Sequence, residues 1–126
     1  MLILANSRGK KSSLKKMHFI GHALRTPDSR ERAAAVLAGT APSGTYIVRV
    51  EPGVSRALDF GSGAGLLSQE KGRFFRLTDE GLRVARAIQE DTELLREEKA
   101  FLNAVRTLAT EQRIRDLLAR GGDLAL

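Results

Sequence analysis

The chain has 126 residues, a net charge of +6 at pH 7 and no cysteine. The absence of thiols excludes disulfides, thiolate zinc sites and cysteine nucleophiles, and a chain of this length can bury an ordinary hydrophobic core. Its apolar runs are too short for a signal peptide or a bilayer-spanning helix, which predicts a cytoplasmic protein without membrane contact.

The positive charge is concentrated at one end of the chain. Residues 1–30 contain seven lysines and arginines against a single aspartate, whereas residues 31–126 contain 14 basic and 14 acidic side chains. A localised positive patch attracts a polyanion or an acidic protein surface better than the same charge spread over the molecule. The N-terminal segment is therefore a candidate binding surface.

Two helices are predicted in the N-terminal third. Apolar side chains recur at helical spacing at Leu14, Met17, Ile20 and Leu24. Ser12 and Ser13 precede them as N-cap candidates. Proline disfavours helical geometry in the preceding residue, so Thr26-Pro27 ends this helix. A second helix begins at Pro27 or Asp28 and runs to residue 38, with Gly39 as its C-terminal cap.

The middle of the chain is predicted to contain a loop, a strand and a third helix. Residues 40–44 have the composition of a loop. The β-branched and aromatic run at residues 46–50 predicts a short strand. Pro52 suits the first turn of a helix, which continues to Phe60 and is stopped by Gly61-Ser62-Gly63.

A β-hairpin and a fourth helix follow. Apolar segments at residues 65–69 and 73–77 flank the turn signal Glu70-Lys71-Gly72. Thr78 is the predicted cap of the next helix, and acidic side chains after it favour the positive end of the helix dipole.

The C-terminal third contains neither glycine nor proline from Leu82 to Arg120. This predicts one long helix to about Leu108 and a shorter helix capped by Gly121. A long apolar stripe needs a covering partner, either the shorter helix or another subunit. The adjacent Phe74 and Phe75 point to opposite faces of their strand, so one of them also needs a cover. The candidate partner-binding residues are Phe74, Leu94, Leu95, Phe101, Leu102, Val105, Leu108, Ile114 and Leu117.

The order of elements predicts a mainly α fold with a small β-hairpin. A helix, a two-stranded hairpin and a returning helix, as between residues 54 and 88, are typical of a winged helix-turn-helix. The hairpin is then the wing, and the helix before it is the one that enters a DNA major groove. We expect a winged-helix domain at residues 1–91 and a helical extension at residues 92–126 for partner binding or dimerisation.

Basic residues near the N-terminus form a predicted stripe. Lys11, Lys15, His18, His22 and Arg25 are spaced four, three, four and three residues apart, which places them on one face of a continuous helix. Such a stripe can follow a phosphate backbone, or it can be a solvated face opposite the apolar one. Zinc binding by the two histidines is not expected, because the chain contains no other histidine or cysteine to complete a site.

The third helix and the wing are weaker candidates. The helix offers Arg56 to DNA, but Asp59 opposes it, and few other side chains suit base edges. A structural helix and a solvated hairpin remain alternatives for these two elements. The candidate nucleic-acid-binding residues are Arg8, Lys10, Lys11, Lys15, Lys16, His22, Arg25, Arg56, Lys71 and Arg73.

No catalytic residue or cofactor is predicted. No serine lies in a nucleophile-elbow sequence. The glycine-rich run at residues 61–65 lacks the lysine and hydroxyl ending of a phosphate-binding loop. A binding protein is therefore expected rather than an enzyme.

Four short stretches carry a resemblance: LANSRG at residues 4–9, RALD at 56–59, GLL at 65–67 and LTDEG at 77–81. With them the chain resembles the middle-component proteins of bacterial ABC-three-component systems, the group that includes Lamassu-type anti-phage defence. The resemblance implies an accessory subunit that bridges an SMC-like ATPase and an effector subunit, with DNA contacted non-specifically.

Two alternatives remain at this point. The first is a homodimeric winged-helix transcriptional regulator, in which the third helix reads a palindrome. The second is an adaptor, carried by a phage or plasmid, that binds only protein. Tight, sequence-specific DNA binding would favour the regulator.

Overall fold

The computed structural model describes residues 1–42, 52–71 and 74–121. In chain order its elements are α1 (Leu2–Ala5), a 3-10 turn (Arg8–Lys10), β1 (Lys11–Ser13), α2 (Leu14–Ala23), α3 (Pro27–Ala38), α4 (Pro52–Gly63), β2 (Leu67–Glu70), β3 (Phe74–Leu77), α5 (Asp79–Glu90), α6 (Arg96–Val105) and α7 (Glu111–Gly121). The predicted mainly α class with a small β component is confirmed. None of the described helices is both long and apolar enough to cross a membrane.

The predicted helix boundaries at three caps are confirmed. Ser13, Thr26 and Thr78 begin α2, α3 and α5, and each side chain accepts a hydrogen bond from the backbone N–H three residues later. Gly39 ends α3 in the left-handed conformation, with φ of 79°. These short polar side chains satisfy N–H donors in the first turn of each helix, which have no partner within the helix.

The sheet is antiparallel, in the order β1-β3-β2. The pairing of β2 with β3 confirms the predicted hairpin, and Leu67 lies opposite Leu77. The strand β1 was not predicted, because residues 11–13 were assigned to the start of a helix. In the structure β1 lies beside β3, on the side of β3 opposite β2, and Ser12 pairs with Phe75.

The predicted stop of the third helix at Gly61-Ser62-Gly63 is confirmed, because α4 ends at Gly63. Its end is made by Gly65, which has a φ of 77°. The N–H of Leu66 donates to the carbonyl of Gly61 at 2.8 Å, and that of Gly65 donates to Ser62 at 3.2 Å. This pair of bonds is a Schellman motif, which turns the chain directly into β2.

The prediction of one helix to about Leu108 is wrong. The chain breaks between α5 and α6, where the Asp91 carboxylate accepts hydrogen bonds from the N–H groups of Glu93 and Leu94 at 3.0 and 3.2 Å. Leu95 then takes a left-handed conformation with φ of 54° before α6 begins. An aspartate that bonds the backbone two and three residues ahead offers it an alternative to the helix.

Buried side chains form two clusters, which we call the first core and the second core. The first core is made by Leu2, Phe19, Ile20, Ala23, Ala33, Val36, Leu37, Phe101, Leu102, Val105, Ala109, Ile114 and Leu117. The second core is made by Leu4, Met17, Leu58, Leu67, Phe75, Leu77 and Ala85. The first core contains side chains from residues both before and after position 91 of the sequence. The division into a domain at residues 1–91 and an extension at residues 92–126 stays a prediction.

Some predictions fall outside the described residues. These are the strand at 46–50, the second half of the loop at 40–44, the wing residue Arg73 and the segment after Gly121.

Candidate binding surfaces

The basic residues near the N-terminus do not form one helical stripe. Lys11 lies on β1, before α2 begins at Leu14, and Arg25 follows the end of α2 and is exposed. His18 is buried, with 1% of its surface exposed. The prediction of five residues on one helix face is therefore wrong, because a strand replaces the first helical turn that the spacing assumed. Lys15 remains exposed and His22 is half-buried.

Lys16 is buried rather than presented to a ligand. Only 7% of its surface is exposed, and burial lowers the pKa of its ammonium group, with a partial offset from the Glu111 carboxylate. That carboxylate also accepts hydrogen bonds from the Ser13 N–H at 3.0 Å and the Ser13 hydroxyl at 2.5 Å. Lys16 therefore belongs to a contact between the starts of α2 and α7.

The outer face of the sheet is charge-paired. The Glu70 carboxylate lies 2.6 Å from Arg76 Nε and 3.8 Å from Lys11 Nζ. The Lys11 ammonium also lies 5.7 Å from the centre of the Phe74 ring, which is half-buried. Phe74 is thus covered in part by Lys11, whereas its neighbour Phe75 enters the second core. Lys71, at the hairpin turn, is exposed.

The helix α4 has one narrow buried side and a broad exposed side. Leu58 and Gly61 are buried against β2. Phe60 is 75% exposed, more than any other large hydrophobic side chain of the described residues. Arg56 and Asp59 are exposed beside it. The outer face of α4 therefore combines one aromatic ring with one charge of each sign.

Most predicted partner-binding residues of the C-terminal third lie inside the chain. Phe101, Leu102, Val105, Ile114 and Leu117 are all members of the first core. The apolar stripes of α6 and α7 pack on α2 and α3 of the same chain, and their role in binding a partner stays a prediction. Three of the predicted residues remain exposed: Leu94, Leu95 and Leu108.

A groove between α5 and α6 was missed by the sequence analysis. Both helices contact α1, and the groove is lined by Ala5, Asn6, Lys10, Leu82, Ala85, Arg86, Gln89, Asn103 and Arg106. Of these, Lys10 alone was predicted as a binding residue. The spacing of Leu82, Arg86 and Gln89 by four and three residues was a usable signal, since it marks one face of a helix. The groove was not predicted, because it lies between α5 and α6, and one continuous helix was expected in their place.

No cluster of histidine, aspartate and glutamate able to hold a metal ion occurs within residues 1–42, 52–71 and 74–121. Comparison with protein-family models, curated proteins and solved structures finds no match to the chain.

Proposed function

We propose that the chain is a non-enzymatic winged-helix subunit that docks other proteins through α4 within a DNA-associated ATPase complex. The winged-helix assignment is supported by the hairpin β2–β3, which follows α4 directly and leads into α5. The strand β1 adds a third member to that sheet. In this assignment α4 takes the place of the groove-entering helix and β2–β3 is the wing.

The exposed Phe60 is the observation on which the docking role rests. Arg56, Phe60 and Gly63 are spaced four and three residues apart and share the outer face of α4. Aromatic and arginine side chains are enriched at the centres of protein–protein interfaces. A large apolar ring in water is unfavourable alone, and a partner that covers it would gain the free energy of its burial.

DNA reading by α4 is less well supported by the same face. The Asp59 carboxylate beside Phe60 would meet phosphates unfavourably, and Arg56 is the one cationic side chain of the helix. On the wing, Glu70 neutralises part of the charge of Lys11 and Arg76. The resemblance to middle-component proteins points in the same direction, toward an SMC-like ATPase and an effector as partners.

The test is co-expression of the chain with the products of its neighbouring genes, followed by size-exclusion chromatography with light scattering. We expect a complex with an SMC-like ATPase that Phe60→Asp abolishes and Ala100→Asp preserves. Ala100 is the control, because it is also an exposed apolar residue of a helix but lies on α6. Both variants should unfold at the wild-type midpoint, since neither side chain belongs to a core.

Two results would contradict the proposal. One is a complex that persists unchanged in Phe60→Asp. The other is tight binding of a specific duplex at physiological salt by a homodimer of the isolated chain, measured by fluorescence anisotropy against a scrambled duplex. The second result would identify a transcriptional regulator instead.

A further inference from the structure

The groove between α5 and α6 is a concave surface that includes Lys10 of the positive N-terminal segment. Its volume is about 330 Å³, which lies at the lower end of the range for small-molecule sites. Three separate parts of the chain contribute to it: the end of α1 with the following turn, one face of α5, and the C-terminal half of α6 with Arg106.

All of the charged side chains that line the groove are basic. They are Lys10, Arg86 and Arg106, and no carboxylate of the described residues lines the groove with them. Among the described residues, no ion pair is formed by Arg86 or Arg106. The Lys10 ammonium donates one hydrogen bond, to the carbonyl of Ala5 at 2.8 Å, so two of its N–H groups stay available. This arrangement leaves a concentrated positive charge without a counter-charge inside the groove.

The turn before β1, which places Lys10 in the groove, has an unusual backbone conformation. Gly9 and Lys10 both have positive φ, of 69° and 56°. The left-handed conformation is unfavourable for a residue that carries a Cβ, such as lysine. The turn nevertheless directs the Lys10 side chain back toward the end of α1, alongside Asn6.

The remaining lining is of two kinds. The amide side chains of Asn6, Gln89 and Asn103 offer both donors and acceptors. The side chains of Ala5, Leu82 and Ala85 provide a small apolar wall. Bare phosphate requires only the cations, whereas a base or another flat ring would also use the amides and the apolar wall.

We propose that this groove binds a nucleotide, with its phosphate groups on Arg86, Arg106 and Lys10 and its base toward the amides and the apolar wall. Arginine binds phosphate oxygens through two parallel hydrogen bonds, which are stronger than those between neutral groups. The concave shape and the apolar wall favour a small ligand over a nucleic-acid backbone. The site is separate from the outer face of α4 and does not depend on the role proposed for that helix.

The test is isothermal titration calorimetry of the full chain at low salt, with ATP, AMP, inorganic phosphate and adenosine as separate probes. We expect ATP to bind most tightly and AMP, with a single phosphate, less tightly. Inorganic phosphate lacks the base and adenosine lacks the phosphates, so both should bind weakly. Arg86→Ala and Arg106→Ala should each weaken ATP binding by about tenfold or more, the loss typical of a charge-assisted hydrogen bond.

The matched control is Arg83→Ala. Arg83 is also an exposed arginine of α5, where it pairs with Glu80, but it does not line the groove. The Arg83→Ala variant should bind ATP as tightly as wild type does. The Arg86→Lys variant, which keeps the positive charge, should retain part of the wild-type affinity for ATP. Failure of ATP and AMP to bind the folded chain would overturn the proposal, as would equal binding by wild type and Arg86→Ala.

Binding of a 20-base-pair DNA duplex distinguishes a nucleotide site in the groove from a surface that binds DNA. If duplex binding requires Arg86 and Arg106 while ATP neither binds nor competes, the groove follows a phosphate backbone and the nucleotide proposal is wrong. If ATP binds and the duplex does not depend on these arginines, the proposal is supported.

Discussion

The carboxylate of Glu111 accepts two hydrogen bonds from Ser13, one from its backbone N–H and one from its hydroxyl. The two residues are 98 positions apart in the chain, and each lies at the start of a helix. The same Ser13 hydroxyl caps α2 by accepting from the N–H of Lys16 at 3.1 Å. One carboxylate therefore joins the beginning of α7 to the beginning of α2.

Glu111→Ala should lower the free energy of unfolding by about 1–3 kcal/mol, because it leaves partly buried donors of Ser13 without their acceptor. Urea denaturation measures this loss. Gln112→Ala, at the exposed neighbouring position, should stay within about 0.5 kcal/mol of wild type. In a double-mutant cycle, Glu111→Ala and Ser13→Ala should show a coupling energy, and strict additivity would contradict the contact.

Lys16 should give the stability a distinctive dependence on pH. Burial holds its pKa below the ordinary value of 10.5, so the folded chain binds fewer protons than the unfolded chain between these two pKa values. The free energy of unfolding contributed by Lys16 therefore rises as pH increases through that window. Relative to Lys16→Met, wild type should gain stability as pH is raised from 7 toward 10.5.

Urea denaturation at a series of pH values checks this expectation. Lys15→Met is the control, because Lys15 is the exposed neighbour on the same helix. Its difference from wild type should not change over the same pH range. A difference between wild type and Lys16→Met that is also independent of pH would show that burial does not control the titration of Lys16.

Gly81 should not tolerate a side chain. A Cβ at this position would lie 2.0 Å from the carbonyl oxygen of Leu66, which also accepts a hydrogen bond from the N–H of Thr78. Backbone atoms cannot yield as a flexible side chain does, so Gly81→Ala should cost about 1–3 kcal/mol or more. Gly53→Ala is the control, because nothing lies within 4 Å of its new Cβ.

Gly53→Ala should be neutral or stabilising by up to about 1 kcal/mol, since alanine favours the helix. Thermal unfolding followed by circular dichroism compares the two variants. A Gly81→Ala variant as stable as wild type would mean that α5 lies farther from Leu66 than the structure places it.

Asp91 should stabilise the turn between α5 and α6. Asp91→Ala removes the acceptor of two backbone N–H groups, as at a helix N-cap, and should cost about 0.5–2 kcal/mol. Glu90→Ala, one residue earlier and also exposed, should have little effect. Hydrogen exchange of the Glu93 and Leu94 amides provides the local readout, and it should accelerate in Asp91→Ala alone.

Local signals predicted much of the fold. The caps at Ser13, Thr26 and Thr78 and the turn at Gly39 are encoded by the residues that form them. The hairpin was likewise visible as two apolar segments around a turn. Such features depend on residues within a few positions of one another, so a short stretch of sequence is enough to predict them.

Long-range features were not predictable in this way. The strand β1 is three residues long and exists because it pairs with β3, more than 60 positions later. Lys16 and His18 were taken for surface cations because nothing in their local spacing marks the helices that cover them. The groove around Arg86 and Arg106 required knowledge of the break at Asp91, where one aspartate overrides the helical propensity of its surroundings.

The first core has a consequence for the order of events during synthesis. It contains Leu2 and Leu117, so side chains from nearly opposite ends of the described chain pack in a single cluster. A nascent chain emerging from the ribosome exposes Phe19, Ile20 and Val36 until α6 and α7 have also emerged. Contacts between such distant residues form late and slowly, because a long loop must close first. Until then these apolar surfaces are exposed to chaperones and to aggregation, and the first core closes only after α6 and α7 have been synthesised.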